Sequence, residues 1–192
     1  MKKTISILGF AGSTREASLN KRLIQAAARL PVPVEVTWTV VDLREVAMPL
    51  YDGDLEEKEG SPAGALALRK LIVEHDAVLL SSPEYNASVT AVLKNAIDWV
   101  SRPAKDGLGK VFANKPVGLL SASPGGLGGI RGLNHLRAIL QNLGAFVIPA
   151  QFALGGAGDA FAEDGGLASE AAGKAVAGVI EQLAKTAGSL EV

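Results

Sequence analysis

The chain has 192 residues, 48% of them hydrophobic and 20% charged, with 19 Lys and Arg against 20 Asp and Glu and a formal charge of −1. A chain of this size buries about 70% of the surface of its unfolded form, so it needs no disulfide or metal staples and is expected to fold as one domain over residues 1–192. The near-neutral balance gives no field to attract nucleic acid or anionic membrane, and the lack of Cys excludes disulfides, thiolate catalysis, Cys-ligated iron–sulfur clusters and Cys-based zinc sites.

The first residues, Met1-Lys2-Lys3 and the apolar run that follows, have the look of a signal peptide's start. The run is too short, Arg15 and Glu16 follow almost at once, and no apolar stretch is long enough to cross a bilayer. The expectation is a cytoplasmic protein without a membrane part.

Ile5–Phe10 is a short apolar, β-branched run, and from Leu19 the period changes to Leu19, Leu23, Ile24, Ala27 and Leu30, giving strand, loop and amphipathic helix. Pro31 and Pro33 end that helix, and Val34–Val41 alternates Val34, Val36, Trp38 and Val40 with mostly polar neighbours, as a half-buried strand does. Ser61-Pro62 predicts a helix start, with Ser at the cap and Pro at the first helical position, carried by Leu66, Leu68, Leu71 and Ile72 to His75. Ala77–Ser82 is a strand, Thr90–Ser101 a helix, Pro116–Ala122 a strand, Leu133–Leu143 a helix closed by Gly144, Ala145–Pro149 a strand and Ser169–Ala187 a final helix. Gln151–Gly166 reads as a surface loop.

Apolar strands separated by helix-length segments indicate a parallel sheet covered on both faces, because parallel strands need crossovers. Five strands fit an α/β, flavodoxin-like three-layer sandwich of order 2-1-3-4-5, with a topological switch point between the first and third strands. Ligands bind beyond the carboxyl ends of such strands, so the loops after strands one, three and four are where a site belongs.

The first loop, Gly12-Ser13-Thr14-Arg15-Glu16-Ala17-Ser18-Leu19-Asn20, offers three hydroxyls, an Arg, an Asn and a helix N-terminus. Hydroxyls and helix-start N–H groups donate to anions, and Arg can hold two phosphate oxygens at once, so a phosphate monoester fits. The bland reading is that Ser13 or Ser18 only caps the helix. The second loop, Ser81-Ser82-Pro83-Glu84-Tyr85-Asn86-Ala87-Ser88, puts an aromatic side chain and an amide where they could meet a flat heterocycle. The third, Ser121-Ala122-Ser123-Pro124-Gly125-Gly126-Leu127-Gly128-Gly129-Ile130-Arg131, has four glycines that let backbone N–H groups approach a planar ligand.

Other nucleotide and hydrolase signatures are missing. G-x-G-x-x-G, G-x-x-x-x-G-K-[ST], G-x-S-x-G and H-E-x-x-H do not occur, and no metal site is expected. His75 and His135 fall in no motif and read as ordinary helix residues.

The residues resemble the NADPH-dependent FMN reductase family of the flavodoxin-like fold, which includes bacterial quinone, chromate and azo-dye reductases. The resemblance spans nearly the whole chain. It rests on Gly12-Ser13-Thr14-Arg15 with Ser18 and Asn20, on Pro83-Glu84-Tyr85-Asn86, on Lys94-Asn95-Ala96-Ile97-Asp98-Trp99 before Ser101-Arg102-Pro103, and on Ser123-Pro124-Gly125-Gly126 through Gly129 to Arg131; Met48-Pro49-Leu50-Tyr51-Asp52 is similar to the family's loop after strand two.

The resemblance implies that Ser13, Arg15, Ser18, Leu19 and Asn20 hold the FMN phosphate end, that Pro83, Glu84, Tyr85 and Asn86 line the flavin ring, and that Ser123 and Gly126 contact its other side. It implies a homodimer or homotetramer in which a neighbouring subunit helps to wall the site, with Tyr51, Asp52 and Arg102 as candidates. The implied chemistry is ping-pong hydride transfer from NADPH or NADH through FMN to a small-molecule acceptor such as a quinone, chromate or an azo compound. The flavin does that chemistry, so no side chain is named as an obligatory acid or base, although Tyr85 is a candidate proton donor. Three other readings stay open: a flavodoxin-type electron carrier, a reductase that releases free reduced FMN to a monooxygenase, and a scaffold that has lost its flavin.

Overall fold

The computed structural model describes residues 4–103 and 106–190; Met1–Lys3, part of the N-terminal run, lie outside them. In chain order the elements are β1 (Ile5–Ala11), α1 (Leu19–Ala27), β2 (Val36–Val41), α2 (Gly53–Glu59), α3 (Ala63–Glu74), β3 (Ala77–Ser81), α4 (Ala91–Ser101), β4 (Pro116–Ala122), α5 (Ile130–Asn142), β5 (Phe146–Leu154) and α6 (Glu170–Ser189). The five strands form one parallel sheet of order β2-β1-β3-β4-β5, the expected flavodoxin-like arrangement.

Successive strand residues face opposite sides of a sheet, and here both sides are apolar. Leu8, Phe10, Leu80 and Leu119 pack with Leu68, Leu93, Ile97 and Leu136 of α3, α4 and α5. Ile5, Ile7, Leu79 and Leu120 pack with Leu23, Ile24, Val176 and Ile180 of α1 and α6. β3 and β4 are buried along their whole length, whereas β2, at one edge, mixes half-buried and exposed residues, and Val40, expected to face inward with Val36 and Trp38, is exposed. No helix among the described residues is long and apolar enough to cross a membrane.

Four elements depart from the sequence expectations. β5 continues past Pro149 to Leu154, taking in the first residues of the expected loop. Pro removes a ladder donor, but β5 pairs only with β4, and a register shift opposite Val117 and Leu119 accommodates it. α2 was not expected, because it buries no residue and so leaves no apolar stripe; Asp52 caps it by accepting from the Asp54 N–H at 2.9 Å. α3 begins one residue late, with Pro62 at the cap in extended conformation and no side-chain cap bond, and α5 begins at Ile130 rather than Leu133, behind Gly129 at φ 93°.

A buried ion pair joins α3 to the segment after α4. Arg69 is fully buried and donates from Nε to Asp106 at 2.5 Å and to the carbonyls of Val100, Arg102 and Gly109 at 2.6–2.9 Å. The guanidinium's hydrogen bonds outweigh burial and lower the Asp106 pKa to about 2.

Candidate functional site

At the carboxyl edge of the sheet, β1, β3 and β4 end side by side, with Ala11 opposite Ser81 and Ser81 opposite Leu120. Their loops are bound together at the base. The Gly12 N–H donates to the Ser81 carbonyl at 2.9 Å. Thr90 caps α4 by accepting from the Leu93 N–H and donates its hydroxyl to the Gly12 carbonyl at 2.6 Å. A Cβ at Gly12 would lie 2.9 Å from Leu93, so only glycine lets this loop press against α4.

Asn20 forms part of the floor. Its Nδ2 donates to the Ala122 carbonyl at 2.9 Å, and its Oδ1 accepts from the Ala122 N–H at 2.9 Å and from the Ser81 hydroxyl at 2.8 Å. The side chain thus pairs with the end of β4 as a strand residue would. It shares the loop with Ser13 and Ser18, and its Oδ1 and one Nδ2–H are engaged within the protein.

Ser13 Oγ accepts from the Arg15 N–H at 3.2 Å, and Ser18 Oγ accepts from the Lys21 N–H at 3.4 Å as the cap of α1. Capping uses only lone pairs, so each hydroxyl proton stays available to an anion. Leu19, half-buried against the α1/α6 core, and Asn20 are the first two positions of α1, whose N–H groups have no intrahelical acceptor. Arg15 is exposed, and its guanidinium has no partner among the described residues.

In the second loop Tyr85 and Ser88 exchange two backbone hydrogen bonds of 3.0 Å around Asn86 and Ala87, whose φ values are 51° and 60°. Positive φ at both central residues is a type I′ hairpin turn. Asn adopts it readily, whereas Ala at that φ is strained, so the tip is held in place by its surroundings. Pro83 is buried, while Tyr85 is 53% exposed at the tip.

Glu84 turns away from this tip. Its Oε1 accepts from Arg131 Nε at 2.7 Å and its Oε2 from the Gly132 N–H at 3.0 Å, so the carboxylate grips the first turn of α5. Burial opposes ionisation of Glu84, but Arg131 and the Gly132 N–H prevail and hold its pKa below the usual carboxylate range. The residue therefore joins the second loop to the third.

In the third loop Ser123 Oγ accepts from the Gly125 N–H at 3.2 Å, and a Cβ on Gly126 would meet no atom within 4 Å. Ser121 donates to the Gly128 carbonyl at 2.7 Å, and Gly128, at φ 62°, lies so close to Ala153 that a Cβ would fall 2.6 Å from backbone. The base of the loop is fixed while Gly125, Gly126 and Leu127 remain exposed.

Ser13, Arg15 and Ser18 on one loop, Pro83, Tyr85 and Asn86 on the second, and Ser123 and Gly126 on the third therefore sit on adjacent strand ends. Tyr51 and Arg102 meet beside α4, with Asp52 next in the chain capping α2: the Tyr51 hydroxyl donates to Glu56 at 2.8 Å and accepts from Arg102 at 3.3 Å, and the ring meets Trp99 edge-on at 5.0 Å. The hydrogen bond to Tyr51 raises the Arg102 pKa. A cleft of about 780 Å³ near that cluster is lined by Glu56, Glu57, Glu59 and Asp106 against Lys58, a net charge of the wrong sign for a phosphate. Sequence reasoning missed the supporting roles of Thr90, Ser81 and Ser121, of which only the Thr90 cap had a local signal.

The donor set fits FMN, with unsatisfied hydroxyl, guanidinium and N–H donors for a phosphate on the β1 loop and an aromatic tip and open glycine backbone for a ring on the other two. Residues 5–159 match the family described as NADPH-dependent FMN reductase. The quinone reductase of Escherichia coli strain K12 is 39% identical over 157 residues, which cover 81% of this chain and 80% of that protein. The NADPH:quinone oxidoreductase of Arabidopsis thaliana is 39% identical over 140 residues, 72% of this chain and 68% of that one. Among solved structures, the flavoenzyme NAD(P)H:(acceptor) oxidoreductase FerB of Paracoccus denitrificans superposes with a TM-score of 0.82 at 27% identity, covering 97% of this chain and 98% of the other. The chain belongs to the NADPH-dependent FMN reductase family.

Proposed function

We propose that this chain binds FMN across the three loops and uses it to pass electrons from NAD(P)H to a quinone or a similar small acceptor. The observation that carries the reading is the coincidence, at the switch point, of an unengaged Arg15, two serine hydroxyls with protons to give and an unobstructed Gly126.

Bound FMN supplies the two-electron hydride chemistry. Ser13, Arg15, Ser18 and the first N–H groups of α1 hold its phosphate, and charge-assisted bonds from Arg15 give that contact most of its strength. Pro83, Tyr85 and Asn86 form one wall of the ring site and Ser123 and Gly126 the other, with exposed loop N–H dipoles stabilising negative charge that develops on the ring edge. Glu84, bonded to Arg131 and Gly132, fixes the spacing of these walls and acts as a positioning residue. Tyr85, exposed at the loop tip, is the candidate proton donor to a reduced acceptor. We read the protein as a single cytoplasmic domain acting as a homodimer or homotetramer, with the Tyr51, Asp52 and Arg102 cluster facing a neighbour's site.

An anaerobic spectrum of the FMN-loaded protein tests this, before and after NADPH and then after a quinone. Bleaching followed by recovery of the flavin band is expected. Bleaching only with an added reductase would make the protein an electron carrier, loss of the yellow colour on gel filtration would make it a supplier of free reduced flavin, and failure to bind FMN would remove the proposal.

A further inference from the structure

Gly12 is buried where the first loop leaves β1, and the close approach of Leu93 leaves no room for a side chain there. A residue without Cβ also rotates more freely, so the peptide that joins Gly12 to Ser13 needs an outside hold. On the amino side the sheet supplies one, since the Gly12 N–H donates to the Ser81 carbonyl at 2.9 Å. On the carboxyl side the hold is Thr90, whose hydroxyl donates to the Gly12 carbonyl at 2.6 Å.

Thr90 is 4% exposed, and its oxygen already caps α4 by accepting from the Leu93 N–H at 3.1 Å. Capping needs only a lone pair, so the hydroxyl proton is left over. Giving it to Gly12 adds nothing to the cap of α4, and its effect falls on the first loop. A trans peptide is planar, with its C=O and N–H on opposite edges. A Gly12 carbonyl fixed toward Thr90 therefore turns the Ser13 N–H the other way. Ser13 is 6% exposed, and its N–H has no acceptor among the described residues. Were this peptide to flip, a carbonyl oxygen would stand where that N–H stands and would repel a phosphate.

We propose that Thr90 is a positioning residue for the cofactor phosphate: its hydroxyl locks the Gly12–Ser13 peptide so that the Ser13 N–H is presented to the anion. The inference rests on the FMN reading above and adds to it a residue from outside the first loop. Thr90 follows closely on Ser88, where the turn of the second loop closes, so the same bond sets the phosphate end of the site against the ring end.

The test compares FMN with riboflavin, which lacks the phosphate, by fluorescence titration of wild type, Thr90→Val and Thr90→Ser, and follows the Ser13 amide by proton–nitrogen NMR as inorganic phosphate is added. Wild type binds FMN more tightly than riboflavin, and phosphate moves the Ser13 amide signal downfield, as a new acceptor does. Thr90→Val keeps the side-chain shape without the hydroxyl. It cuts the preference for FMN over riboflavin about two- to tenfold, the range of one neutral hydrogen bond, while riboflavin affinity stays as in wild type and the phosphate-induced shift is lost. Thr90→Ser retains both the preference and the shift. Equal weakening of the two flavins in Thr90→Val, which a cap alone would give, overturns the inference, as does an unchanged preference. A wild-type Ser13 signal that phosphate leaves in place overturns it without any variant. The phosphate titration needs no flavin: a shifting Ser13 signal in a protein that binds no FMN removes the functional reading and keeps the inference, and FMN binding with a static Ser13 signal does the reverse.

Discussion

Arg69 and Arg15 place the same guanidinium in opposite surroundings. Arg69 is fully buried, paired with Asp106 and saturated by three carbonyls, so every donor that folding desolvated has an acceptor. Arg15 stands at the switch point in solvent with no acceptor, on a loop whose serines have spent only lone pairs. Burying a cation is favourable only when its bonds are complete, so the first arrangement can serve no ligand. Leaving one exposed costs the fold little, so the second is free to serve one. The difference separates a cation whose donors the fold has used up from one whose donors it leaves available.

The largest effect should come from breaking the saturated arginine. Arg69→Met leaves Asp106 and three carbonyls without their partner and is expected to cost about 3–5 kcal/mol in urea unfolding. A loss below 1 kcal/mol would show that the pair is not the anchor described.

Arg15→Ala should leave unfolding unchanged and weaken FMN by about 1.5–3 kcal/mol, read by fluorescence titration. A stability change of the Arg69 kind would erase the contrast between the two residues.

Acid sharpens the same comparison. The Asp106 pKa is lowered from 3.8 to about 2, so its contribution is complete above pH 3.8 and is lost as pH falls toward 2. It amounts to on the order of 2 kcal/mol and should be absent from Arg69→Met. Matching acid-unfolding curves for the two proteins would count against it.

The smallest expected effect is at the ring loop. Ala87→Gly relieves a left-handed Ala and should stabilise by about 0.5–1 kcal/mol, less than the strain itself because Gly also gains freedom when unfolded. A fall in melting temperature would mean that the Ala87 methyl makes contacts worth more than the strain.

The sheet order was legible because β1, β3 and β4 are buried on both faces and read as apolar blocks. α2 was illegible for the opposite reason, since a helix that buries nothing leaves no period. Pro149 hid the second half of β5, as edge strands obey looser rules than the block pattern assumes. At the site, hydroxyl, guanidinium and glycine types announced the loops, but sequence cannot say which polar atoms are already taken. Asn20 and Glu84 illustrate this: both stand in the candidate loops, and the structure shows each also holding hydrogen bonds inside the protein.

Asn20 also affects how the floor of the site moves in time. Ala122 is the last residue of β4, where a strand would ordinarily fray, yet its N–H is held by a side chain anchored in α1. Its amide proton should exchange with solvent only when α1 and the sheet open together, while the N–H groups of Gly125 and Gly126 exchange through local opening. A ligand entering this edge meets a rigid base under pliant lips, so the ordering that binding demands is confined to a few loop residues.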